Sequence, residues 1–186
     1  MQNTYVTRCL QKTDDIRRLT DRMFEYALVY DASEPEQIRM ISFSLSRLLE
    51  LFREQMDFLE LAGFHTDISF PDADTSDITT PDALTIQADP ELCKRILNNL
   101  FSNILKYGSK QETVTLSMQL PPEINKDATL CLALKNTVKP EHSAVESNRI
   151  GLKSSTRNME RMGGKLVVFQ TDTLFEVTLS FPVTAP

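Results

Sequence analysis

Apolar and polar positions alternate along the chain in ways that predict four helices and five or six strands. Between Asp14 and Asp31, Ile16, Leu19, Met23, Tyr26 and Tyr30 recur at alternating spacings of three and four, with charged residues between them. That is the seam of a helix packing in coiled-coil fashion, either against its own core or against a second copy. A second helix is predicted from Glu36 to Leu61, with Ile38, Ile41, Leu45, Leu49, Phe52, Met56 and Leu59 on one side. Ser33 with Glu36 reads as its capping box, Pro35 lies in its first turn, and Ala62-Gly63 reads as its stop.

His65 to Phe70 reads as a short strand, and the acidic, turn-rich PDADTSDITTPDA that follows reads as a connection. Leu84, Ile86 and Ala88 alternate as the next strand. Asp89 and Pro90 then fit the N-cap and N1 positions of a helix running to about Tyr107. Two alternating strands follow, one carrying Val114, Leu116, Met118 and Leu120 and one carrying Leu130, Leu132 and Leu134. A polar segment from Asn136 to Arg149 leads to a helix from about Leu152 to Met162, closed by Gly163-Gly164. Lys165–Phe169 and Phe175–Phe181 form a last hairpin around a QTDT turn. The expected fold is α+β: a two-layer sandwich with three helices on one face of a mixed, mostly antiparallel sheet, preceded by a separate helix. The expected division is residues 1–34 and residues 35–186.

Composition narrows the function. With 186 residues, 41% of them hydrophobic, the chain can bury a core without disulfides or structural metal. A net charge of −6 argues against a nucleic-acid partner, which calls for a basic stripe. Cys9, Cys93 and Cys131 are far apart and lack CxxC spacing, as expected of free thiols in a reducing compartment. No apolar run approaches the roughly 18 residues of a membrane helix, and the N-terminus lacks a signal-peptide core. A cytoplasmic location is expected, with any membrane anchor in a part outside this chain.

The chemistry concentrates in NNLFSNILKYG, residues 98–108. At about 100° per residue, Asn99, Asn103, Lys106 and Tyr107 share one arc, while Leu100, Phe101, Ile104 and Leu105 face a core. Asn oxygens suit Mg²⁺, and an ammonium suits a phosphate. Taken alone, the same face fits a solvated helix surface. A second candidate is IGLKSS, where Gly151 precedes a helix start whose free N–H groups favour an anion, joined by Lys153 and the hydroxyls of Ser154, Ser155 and Thr156. The long polar segment from Asn136 to Arg149 suits a functional loop.

In this order the features resemble the ATP-binding catalytic domain of sensor histidine kinases, the Bergerat fold shared with gyrase and MutL, from about Phe43 to Pro182. The resemblance implies ATP and Mg²⁺ as cofactors. It implies that Asn103 is the metal ligand and Asn99 the first asparagine of the N box, with Lys106 and Tyr107 touching phosphate and nucleotide. Ile150, Gly151, Leu152 and Lys153 would match the last glycine box, Thr137 to Arg149 the ATP lid, and Asn136 and Thr137 the box that holds adenine. Asn136 stands where the family usually carries Asp, and Ser147 and Arg149 where glycines are common. Hydrolytic members carry a glutamate base where this chain has Asn99, so phosphoryl transfer to a histidine is implied instead.

Neither His65 nor His142 sits in a phosphoacceptor pattern, so no catalytic residue is assigned within the chain. The acceptor histidine would lie upstream, with the helix from Asp14 to Tyr30 as part of a dimerisation hairpin. The implied partners are the dimerisation domain of the same kinase, a response regulator, and a second copy through the N-terminal helix. A competing expectation is a degenerate domain that binds no nucleotide and regulates a partner by contact. An anti-sigma-factor serine kinase is a third.

Overall fold

The computed structural model describes residues 12–13, 38–70, 84–121, 128–139 and 150–184. The chain separates into two compact units, Met1–Gln37 and Ile38–Pro186, and the strands and helices that follow all belong to the second. The N-terminal helix seam, Ser33 and its capping box, and most of the expected lid lie outside the described residues.

The order of elements is β1 (Ile41–Ser44), α1 (Leu45–Leu61), β2 (His65–Ser69), β3 (Thr85–Ala88), α2 (Pro90–Tyr107), β4 (Thr113–Gln119), β5 (Thr129–Thr137), α3 (Ile150–Arg161), β6 (Lys165–Gln170) and β7 (Leu174–Thr184). Seven strands form one sheet in the order β1-β3-β7-β5-β4-β2, with β6 also paired to β7. All pairs are antiparallel except β2 with β4. The architecture is the expected α+β sandwich of three helices on a mixed, open sheet, with more strands than the alternation showed.

Each long strand alternates strictly. Val114, Leu116 and Met118 of β4, Leu130, Leu132 and Leu134 of β5, and Phe175, Val177, Leu179 and Phe181 of β7 are all buried. They meet Leu48, Leu49, Phe52, Met56 and Leu59 of α1 and Leu92, Ile96, Leu97, Leu100, Phe101 and Ile104 of α2 in one continuous core. Phe52 and Phe101 pack edge to face, with ring centroids 6.5 Å apart. Burying each such side chain contributes about 1.5–3 kcal/mol. The exposed pairs Arg47–Glu50 and Lys94–Glu91 add about 0–1 kcal/mol each, so apolar burial decides the fold.

One expected element changes its nature. The helix predicted from Glu36 begins only at Leu45, because Ile41–Ser44 instead pairs with Thr85–Ala88 as β1. β-branched Ile41 and aromatic Phe43 suit a strand, and the pairing covers what would otherwise be a bare edge of β3. Ile41, placed on the apolar side of a helix by the periodicity, is therefore 40% exposed. Ser44 takes over as N-cap and accepts from Arg47 N–H at 3.4 Å.

The start of α2 is pinned as expected. Asp89 caps it, accepting from Glu91 N–H at 2.9 Å and Leu92 N–H at 3.3 Å, with Pro90 in the first turn. Its other carboxylate oxygen accepts from Arg39 N–H at 2.8 Å, which ties the segment before β1 to the helix.

The Gly163-Gly164 stop of α3 is demanded twice. Gly163 has φ of 76°, and a Cβ on Gly164 would lie 2.6 Å from the Ser180 carbonyl oxygen and 2.8 Å from Met159 Cε. Gly164→Ala is expected to lower stability by about 2 kcal/mol, read by urea unfolding. An unchanged midpoint would contradict that packing.

Burial, reinforced by the nearby charge of Asp89, pushes the Cys93 thiol up from 9.0 to about 12. A raised thiol pKa leaves folding stability intact below pH 9.0, where both states keep the proton. Stability then falls as pH climbs from 9.0 toward about 12, because only the unfolded chain ionises. Urea unfolding across that interval should show a loss in the wild type that Cys93→Ala lacks.

Candidate functional site

Helix α2 carries the polar arc, and its two neighbours determine what the arc faces. At its C-terminal end the helix stops at Gly108, whose N–H donates to Ile104 O at 2.7 Å. A Cβ there would lie 2.5 Å from that same oxygen, so the close turn requires glycine. Beyond it the chain is stitched to the end of β5. Ser109 N–H donates to Thr137 O at 2.8 Å, Lys139 N–H donates to Tyr107 O at 2.9 Å, and Gly108 bridges Val138. The end of α2 at Tyr107 is thereby tied by backbone bonds to the end of β5 at Thr137.

Asn136 and Thr137, expected at the start of a polar loop, instead end β5 opposite Phe175 and Leu174 of β7, because the β5–β7 ladder runs on through both residues. Asn136 follows Leu130, Leu132 and Leu134 in the inward row of β5 and is 3% exposed. Its Nδ2 donates to Thr137 O at 3.0 Å, which sets the orientation of the amide. Its Oδ1 is buried and, among the described residues, accepts from no donor. A buried carbonyl-type oxygen without a donor is costly, and a native core normally supplies one. Asn136 thus presents an inward-facing acceptor that no donor among the described residues meets.

In the middle of α2, Asn99 reaches the third helix. Its Nδ2 donates to Ser155 Oγ at 3.2 Å and to Gly151 O at 3.4 Å. Helix α3 starts at Ile150 rather than Leu152, so Gly151 lies inside the first turn and not ahead of it. A Cβ on Gly151 would sit 3.6 Å from Asn99 Cγ, an ordinary contact, so packing alone does not demand glycine there. The expectation that the hydroxyls of Ser155 and Thr156 serve an anion is not met. Ser155 is fully buried against Asn99, and Thr156 Oγ1 donates to Leu152 O at 2.9 Å. Ser155, Met159 and Met162 form an i, i+4, i+7 inward row, a period that is visible in the sequence and outweighs the position of the hydroxyl near a helix start.

Asn103, one turn beyond Asn99, is half-exposed, and its side chain has no hydrogen-bond partner among the described residues. Lys106 is exposed, Tyr107 and Leu152 are half-buried, and Lys153 is exposed. From Asn99 to Tyr107 the arc spans roughly 12 Å at 1.5 Å of rise per residue. The first turn of α3 meets it at Asn99, and the end of β5 meets it at Tyr107. Among the described residues no three His, Cys, Asp or Glu side chains group as a metal site. Lone amide oxygens on this arc fit only a hard cation held mainly by water and by a ligand's own oxygens.

The sequence matches no protein-family model. It is 25% identical over 184 residues, 97% of this chain, to the sensor histidine kinase YrkQ of Bacillus subtilis. The chain spans 38% of that relative's length. Among solved structures, the histidine kinase AdeS of Acinetobacter baumannii superposes with a TM-score of 0.55 at 12% identity, over 93% of this chain and 81% of its own. The catalytic domain of histidine kinase ThkA matches with a TM-score of 0.55 at 14% identity, over 80% of this chain and 99% of that domain. Full-length ShkA, solved in complex with AMPPNP, matches with a TM-score of 0.59 at 17% identity, over all of this chain and 39% of its own. The chain is thus similar in sequence to a sensor histidine kinase along nearly its whole length and has the fold of histidine kinase catalytic domains. No helix among the described residues is long and apolar enough to cross a membrane.

Because Asn136 Oδ1 has no donor among the described residues, replacing the residue costs little. Asn136→Leu is expected to change the urea unfolding free energy by less than about 1 kcal/mol, the worth of its one amide bond offset by removal of the orphan oxygen. A loss of several kcal/mol would mean that the oxygen is satisfied within the fold.

Proposed function

We propose that this chain is the ATP-binding catalytic part of a sensor histidine kinase. The observation that carries the reading is the buried Oδ1 of Asn136, an acceptor with no donor among the described residues, next in sequence to Thr137, whose carbonyl is tied to the end of α2. Adenine offers the missing hydrogen from its exocyclic amine, and an amide accepts it as a carboxylate would. With the base at the end of β5, the phosphates run along α2 toward the first turn of α3. There the N–H groups of Ile150, Gly151 and Leu152, in the first turn of α3 and ahead of the first intrahelical bond, favour their charge. Lys106, and Lys153 by its side chain, add positive charge. Thr137 and Tyr107 border the base.

Asn103 would hold the Mg²⁺ through its amide oxygen, the other positions falling to water and phosphate, and the ion would supply charge neutralisation between the phosphates. This chain's own contribution is positioning and electrostatics. No general base stands at Asn99, whose nitrogen is engaged with α3, so water is not activated there. The transferred phosphoryl leaves ADP as its Pγ–O bond breaks. It bonds to an imidazole nitrogen, which gives up its proton, and later passes to an aspartate of a response regulator.

The receiving histidine belongs outside the described residues. Exposed His65 lies on strand β2 and not on a helix. The dimerisation domain of the same kinase would supply it, with residues 1–34 as part of that domain and of a homodimer contact. Residues 35–186 would then form the catalytic domain, working in the cytoplasm.

The competing reading, a degenerate regulatory domain, draws support from Asn136 in the acidic position and from Ser147 and Arg149 in place of glycines. Calorimetric titration with ATP and ADP, with and without Mg²⁺, separates the two. The kinase reading expects saturable binding. Asn103→Ala should remove the Mg²⁺-dependent gain while sparing Mg²⁺-free ADP binding to within about twofold, less than one hydrogen bond is worth. No heat and no thermal shift with either nucleotide would overturn it in favour of the regulatory module.

A further inference from the structure

The bonds from Asn99 to Gly151 and Ser155 are the described hydrogen bonds joining the middle of α2 to the first turn of α3. A single carboxamide nitrogen, with two hydrogens to give, meets two acceptors one helical turn apart. Ser155 has no exposed surface, so its hydroxyl can serve no solvent or ligand directly. It sits in a row otherwise filled by Met159 and Met162, where an apolar side chain would pack as well. A buried hydroxyl in such a row is retained at a cost in desolvation unless its partner matters.

The effect on Asn99 is specific. With Nδ2 turned to α3, Oδ1 is left without a donor among the described residues, and the orientation of the amide is set. Asn103, four residues on, has no such tie among the described residues. Two asparagines on one arc thus divide the work: the first is spent on helix α3 and the second is left for a ligand.

We propose that Ser155 is a positioning residue for the phosphate end of the nucleotide site. Through Asn99 it fixes the first turn of α3, and the N–H groups it presents, against the arc of α2. The inference rests on the nucleotide reading above. It makes Asn99 a holder of α3 rather than a metal ligand.

The test compares ATP with adenosine on the full 186-residue chain. Ser155→Ala is expected to weaken ATP binding about tenfold, the worth of one hydrogen bond, and to leave adenosine binding unchanged to within about twofold. Adenosine reports on the base end alone, which a loss of general packing would also disturb. Adding Ser155→Ala to Asn99→Ala should weaken ATP no further than Asn99→Ala alone, because the tie is already gone. Equal losses for ATP and adenosine, no loss for ATP, or additive losses in the double variant would each overturn the proposal while leaving the nucleotide reading in place. A wild-type chain that binds neither ligand would contradict the nucleotide reading itself, and the proposal with it.

Discussion

Seven buried side chains along one side of α2, from Leu92 to Ile104, hold that helix against the sheet. Everything else at the candidate site follows from this burial. With the apolar side committed to the core, Asn99, Asn103, Lys106 and Tyr107 must lie along the opposite arc, in fixed order and at fixed rise. Both ends of the helix are tied as well. Asp89 gathers three backbone donors at the start, and the Tyr107–Gly108–Ser109 turn is sewn to β5 at the finish. A helix held in this way cannot rotate its polar arc out of place without breaking the core.

The sheet contributes a single polar group to that layout, and its position matters more than its chemistry. Asn136 occupies the inward row of β5, where its predecessors are leucines, so its side chain is buried by the same alternation that builds the core. The amide gives its hydrogen to Thr137 and keeps an oxygen with no described donor to accept from. Natural cores seldom tolerate this, since an unpaired acceptor costs about 1–3 kcal/mol. A ligand that supplies a donor relieves the cost when it binds. Two backbone hydrogen bonds join the end of α2, which carries the polar arc, to the end of β5, which carries the orphan oxygen.

The strict alternation of β4, β5 and β7 and the two-sided character of α2 are legible in the sequence, because each pattern runs long enough for one period to fit and the other to fail. The Asp89-Pro90 start and the Gly163-Gly164 stop are also plain, since few residues suit those positions. Ile41–Ser44 misleads because a short apolar run fits both periods, and only the pairing with β3, distant in sequence, selects a strand. Polarity hides the strand character of Asn136 and Thr137, although Leu130, Leu132 and Leu134 already point to position 136 as inward. Ser155 resembles a ligand-facing hydroxyl because small polar residues near a helix start usually are. Its register with Met159 and Met162 shows it turned the other way. The partner of Asn99 is not legible at all, since it depends on how two helices meet.

Side-chain amide resonances of the asparagines, followed by NMR while Mg²⁺ and a non-hydrolysable ATP analogue are added, address the central claim most directly. If the nucleotide lies along α2 with its base at the end of β5, the Asn136 and Asn103 side chains and the backbone amides of Gly151 and Leu152 shift together and saturate at one concentration. The outward residues Lys135 and Thr178 should stay still. Unmoved Asn136 and Asn103 resonances at saturating analogue, or shifts confined to the outer face of the sheet, would contradict the account.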